Sequence, residues 1–103
     1  MDIETLIKKQ ISDNSVILYM KGTPQFPQCG FSARTVEALT QVGEPFAYVN
    51  ILENPEIRST LPRIANWPTF PQLWVKGELI GGCDIVMDMV QKGELAPLIK
   101  EAV

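Results

Sequence analysis

The sequence predicts an α/β domain, a four-stranded mixed sheet flanked by helices. Three observations predict it. Segments with helical apolar spacing alternate with short runs rich in strand formers. The first two such runs are separated by a helical segment, and a strand–helix–strand unit demands a parallel pair. The last two runs are joined by the tight "KGE" and read as an antiparallel hairpin. The chain has 103 residues. That is the size of one domain, enough for a single core without disulfide or metal staples. One domain is therefore expected over residues 1–103.

The elements follow in order. "IETLIKKQIS" sets Ile3, Leu6, Ile7 and Ile11 at helical spacing. "SVILYM" is a short apolar strand, and "KGTPQFPQ" after it is a loop with two prolines and a glycine. A second helix is expected from about Cys29 to Leu39, with Phe31, Val36 and Leu39 on one side and Gly43 as its stop. "PFAYVNI" is the second strand. "NPEIRSTLPRIA" is a third helix, with Asn54 as cap and Pro55 at its first position. Pro62 should bend or break it. "PQLWV" and "LIGG" form the hairpin, and "DIVMDMVQKGELAPLIKEA" is a helix with a break near Gly93. A strand–helix–strand half followed by a hairpin and a helix is a thioredoxin fold.

Composition narrows the function. With 46% hydrophobic and 20% charged residues, the chain is that of an ordinary soluble globular protein. A net charge of −3 argues against a nucleic-acid binder that works by neutralising phosphates. No apolar run approaches the roughly 20 residues needed to span a membrane. The opening "MDIETLIKKQISD" is neither a secretory signal nor an Arg-rich transit peptide, so a cytoplasmic protein is expected. Two cysteines and no histidine exclude a disulfide-rich scaffold and any Cys-His or Ser-His-Asp arrangement. One chain cannot build a four-ligand Cys/His zinc site, so a soft-metal site must borrow ligands from another molecule.

Cys29 stands at the start of the expected second helix, where unpaired amides favour an anion. Lys21 lies at the other end of the loop. Both lower a thiol pKa and favour the thiolate, the form that attacks and ligates. Gly30 keeps the approach open. Taken alone, a single cysteine serves equally well as buried filling; the proline-rich loop and polar surroundings favour function. A second thiol three residues on would complete the two-cysteine redox motif, but that position is Ser32.

"NWPTFPQLWVKGELIGGCD" holds the second group of candidates. Pro71 follows Phe70 just before a strand, a position suited to a cis bond, although trans is the commoner state of an X-Pro link. The Phe70 backbone is then free to pair with an extended peptide. Gly81 and Gly82 allow close backbone approach. Asp84 caps the last helix, whose N-terminal amides suit a carboxylate; capping alone is the rival role. Lys21 and Arg58 are candidates for holding a second carboxylate, against the plainer reading of Arg58 as part of a solvated face. Trp67 and Trp74 are read as packing residues.

"KGTPQFPQCGFSA" together with "WPTFPQLWVKGELIGGCDI" closely resembles the monothiol glutaredoxins of the CGFS type, in particular the single-domain bacterial kind. The similarity covers almost the entire chain, and two long motifs in order make it specific. The resemblance implies a thioredoxin fold that binds glutathione. It implies one 2Fe-2S cluster bridged by two protomers and two glutathiones in a homodimer. It further implies transfer of clusters between scaffold and acceptor proteins, and pairing with a BolA-like protein. By position it makes Cys29 the catalytic thiol and cluster ligand. Lys21 and Arg58 would hold the glycine end of glutathione, and Phe70, before cis-Pro71, would pair with its backbone. Cys83 and Asp84 would take the γ-glutamyl end. The family fixes the aspartate after "GG" more firmly than the residue between, so Cys83 is assigned its backbone N–H, with side-chain chemistry left open.

On this reading Ser32 removes a competing intramolecular disulfide and leaves the Cys29 thiolate for an external partner. A 2Fe-2S cluster takes four ligands, and two Cys29 thiolates with two glutathione thiolates supply them. Two rival readings stand beside this one, and the first of them shares its chemistry. One is a glutathione-dependent oxidoreductase that removes glutathione from mixed disulfides through Cys29. The other is a regulatory protein that acts by docking partners.

Overall fold

A computed structural model describes residues 2–103. The elements run α1 (Ile3–Asp13), β1 (Val16–Met20), α2 (Gly30–Val42), β2 (Ala47–Asn50), α3 (Pro55–Ala65), β3 (Gln72–Val75), β4 (Glu78–Gly81), α4 (Cys83–Gln91) and α5 (Leu95–Ala102). The four strands form one mixed sheet in the order β2-β1-β3-β4. β1 pairs parallel with β2, as the crossover through α2 requires. It pairs antiparallel with β3, and β3 pairs antiparallel with β4. This is the thioredoxin fold expected from the element order.

Strand alternation divides the core into two layers. Val16, Leu18 and Met20 of β1 with Leu73 and Val75 of β3 pack against Val36 and Leu39 of α2, Val86 of α4 and Ile99 of α5. Ile17 and Tyr19 face the other way, onto Ile7 and Ile11 of α1 and Ile57 and Leu61 of α3. β1 is buried at every position because it is central and covered on both faces.

Several local expectations need correction. Pro62 does not break α3, which continues to Ala65. Proline removes one N–H from the ladder, and here that loss falls in the last turn. The Pro62 carbonyl still accepts from the Trp67 N–H at 3.1 Å. Asn54 occupies the N-cap position of α3 but makes no capping bond. Its side chain donates instead to the Asn50 carbonyl at 2.8 Å. Asp84 is not the cap of α4. Gly82 is, and Asp84 lies within the first turn. Phe31 does not join Val36 and Leu39 in the core; it is 52% exposed. The break near Gly93 is complete, with φ +71° at that residue and α5 starting at Leu95.

Candidate functional site

The loop from Lys21 to Gln28 closes on itself before it delivers Cys29. The Gln28 N–H donates to the Lys21 carbonyl at 2.9 Å, and Gly22 bridges Pro27. Thr23 and Phe26 exchange backbone hydrogen bonds at 3.0 and 3.3 Å. Gly22 has φ +96°, and a Cβ there would lie 2.5 Å from the Phe26 carbonyl oxygen. Only glycine fits this turn. Two side chains then pin the loop to the fold. Asn50 Oδ1 accepts the Gly22 N–H at 2.9 Å, and Ser32 Oγ accepts the Lys21 N–H at 3.1 Å.

Cys29 is the N-cap residue of α2, in extended conformation and half-buried. The Ser32 backbone N–H is the largest influence on its thiol and holds it below the ordinary thiol range. The Phe31 N–H, the Lys21 charge and the Ser32 hydroxyl act in the same direction, while partial burial opposes them. The helix start therefore favours the thiolate. Cys83 is the other free thiol and is buried.

A groove of about 530 Å³ opens beside Cys29, a volume suited to a small peptide-sized ligand. Gly30, Ser32 and Gly81 do not line it, whereas Lys21, Cys29, Arg58, Phe70, Pro71, Cys83 and Asp84, all singled out in the sequence, do. They arrive from separate places, the end of β1, the start of α2, the exposed side of α3, the segment before β3 and the first turn of α4. The Phe70–Pro71 peptide bond is cis. Among the described residues, ion pairs join Lys8 to Glu4, Lys9 to Asp13 and Lys92 to Asp88. Lys21 and Arg58 thus face the groove without a carboxylate partner. Asp84, in the first turn of α4, adds an acidic side chain to the lining.

Sequence reasoning missed part of the wall. Trp67, read as packing, lines the groove, and its indole N–H is buried without a hydrogen-bond partner among the described residues. Phe31 also lines it, with the Arg34 guanidinium 5.2 Å from its ring centre. The signal for Trp67 was its place in a segment with prolines at 68 and 71, where no helix or strand supplies a packing face. Among the described residues no group of three or more His, Cys, Asp or Glu side chains is arranged to hold a metal ion. Among the described residues no helix is long and apolar enough to cross a membrane.

Comparison with known proteins agrees with this fold. The profile of the glutaredoxin family matches residues 16–80. Glutaredoxin 4 of Haemophilus ducreyi is 68% identical over 95 residues, spanning 92% of this chain and 89% of that protein. The solution structure of reduced apo GrxS14 from poplar superimposes with a TM-score of 0.83 at 45% identity, covering 97% of this chain and 92% of the other. A buckwheat glutaredoxin–glutathione complex shares the fold, with a TM-score of 0.83 at 23% identity over 95% of this chain and 87% of that one.

Proposed function

The chain belongs to the glutaredoxin family, and from that premise we propose that it binds glutathione and carries a 2Fe-2S cluster shared between two protomers. The observation that carries this reading is a single activated thiol beside a groove with two unpartnered cations. Glutathione has two carboxylates, one ammonium and an extended backbone. The groove offers Lys21 and Arg58 to the glycine carboxylate and the Phe70 backbone to the peptide. At the far end the α4 N-terminus and Asp84 suit the γ-glutamyl carboxylate and ammonium. A buckwheat relative of the same fold was crystallised with glutathione, which supports the ligand class.

The cluster is cargo rather than a resident group. One chain offers the Cys29 thiolate, and bound glutathione would bring a second thiolate to the same place. Two such pairs complete four ligands. Ser32 withholds the thiol that would otherwise close a disulfide with Cys29. Scaffold and acceptor proteins in the cytoplasm, and a BolA-like protein, are the partners this role requires.

The depressed thiol also favours a second reading, deglutathionylation. The Cys29 thiolate attacks the glutathione sulfur of a mixed disulfide and releases the substrate thiolate. The new disulfide at Cys29 is then reduced by a second glutathione, leaving oxidised glutathione. Oxygen-free purification separates the readings. Brown protein with visible-region absorbance and equal iron and sulfide supports the carrier. Colourless protein with rapid turnover of a glutathionylated peptide supports the enzyme.

A further inference from the structure

Gln72 is a core residue that the proposed chemistry leaves without a role. It is fully buried and opens β3 opposite Tyr19 of β1. A glutamine sealed from water is costly unless its amide is satisfied. Here Nε2 donates to the Trp67 carbonyl at 3.0 Å and the Thr69 carbonyl at 3.3 Å. Oε1 accepts the Trp74 indole N–H at 3.2 Å. These partners fix the amide's orientation, since two carbonyls demand the NH₂ group and an indole demands the oxygen.

Both carbonyls belong to the segment from Trp67 to Pro71, and every residue of it lines the groove. The segment lies in no helix or strand, and Pro68 and Pro71 have no N–H to give. The Gln72 side chain takes the place of a missing ladder. An apolar side chain of the same length would leave two carbonyls and an indole N–H, all part-buried, without this partner.

We propose that Gln72 is the positioning residue of the groove, its side-chain amide tying the Trp67–Pro71 wall to the sheet in the shape that receives the glutathione backbone. Gln72 does not line the groove itself and acts through Trp67 and Thr69. This role rests on the reading of the groove as a glutathione site. It differs from a contribution to core stability in a measurable way. A stabilising residue lowers the melting temperature when replaced, whereas a positioning residue also loosens one wall and weakens one ligand.

The test is titration of the ¹⁵N-labelled full chain with reduced glutathione, followed by NMR well below the unfolding temperature. Gln72→Met should raise the Kd roughly tenfold. In the free variant, the Trp67, Thr69 and Phe70 amides should show microsecond-to-millisecond exchange absent from the wild type. Leu95→Ala, a core change in α5 away from the groove, should lower stability while leaving Kd and those amides unchanged. Should Gln72→Met not fold, Trp74→Phe removes the bond that orients the amide, together with part of a ring packed on the second core layer, and should raise the Kd roughly threefold. Wild-type affinity with quiet wall amides in Gln72→Met, or in Trp74→Phe as its substitute, overturns the role while the glutathione reading stands. A wild-type chain that does not bind glutathione overturns both.

Discussion

The Ser32 hydroxyl oxygen accepts the Lys21 main-chain N–H at 3.1 Å, and the Ser32 side chain is fully buried. One bond thus joins the end of β1, where the loop leaves, to the first turn of α2, where the loop returns with Cys29. Ser32 is more than a position from which a thiol is missing. It is an acceptor that sets the spacing between Lys21 and the reactive sulfur.

Ser32→Ala should therefore cost about 1–3 kcal/mol, the penalty for leaving a backbone donor unpaired, toward the low end because the donor is only part-buried. Ser32→Cys should lie between that variant and the wild type, because sulfur accepts hydrogen bonds weakly. Urea denaturation of the reduced proteins measures both. Wild-type stability in Ser32→Ala would show that the bond contributes nothing.

The Cys29 thiol should titrate below the ordinary value of about 8.5. Because the folded value is depressed, the thiolate adds stability above the unfolded value, and the increment fades as pH falls through the folded one. Alkylation by iodoacetamide in a Cys83→Ser background reads the thiolate directly. Its pH midpoint should rise in Lys21→Ala and rise further in urea, where the Ser32 N–H is also lost. A midpoint unchanged by urea contradicts the helix-start assignment.

Lys21→Ala and Arg58→Ala should each weaken glutathione by about 1–3 kcal/mol, the worth of a hydrogen bond to a charged group. The loss should shrink in high salt, since exposed charges are screened. Calorimetric titration checks this. Unchanged affinity in both variants would remove the two cations from the site.

Most of the fold was legible because apolar periodicity reports burial. Ile3, Ile7 and Ile11 marked one helix face, and the tight Lys76–Gly77 turn marked the hairpin. The candidate residues lining the groove were legible from the two motifs and the family they resemble. What failed was local and polar. Phe31 stands five residues before Val36, about 140° around the helix, so it lies off the core face and lines the groove instead. Asn54 stands where a cap belongs, yet its amide found the Asn50 carbonyl. Pro62 near a helix end costs one bond rather than the helix. Gln72 carried no signal, because a buried amide's partners are chosen by tertiary packing and not by spacing.

The most direct test of the central claim is native mass spectrometry of protein reconstituted without oxygen, with iron, sulfide and glutathione. One chain has a single well-placed thiolate and no histidine, so it cannot supply the four ligands that a 2Fe-2S cluster takes. The expected species holds two chains, two glutathiones and one cluster about a two-fold axis. It should return to monomers when the cluster is lost. Cys29→Ser should abolish loading and dimerisation together, and Cys83→Ser should keep both. A cluster-loaded monomer, or a Cys29→Ser dimer that still holds its cluster, would contradict it.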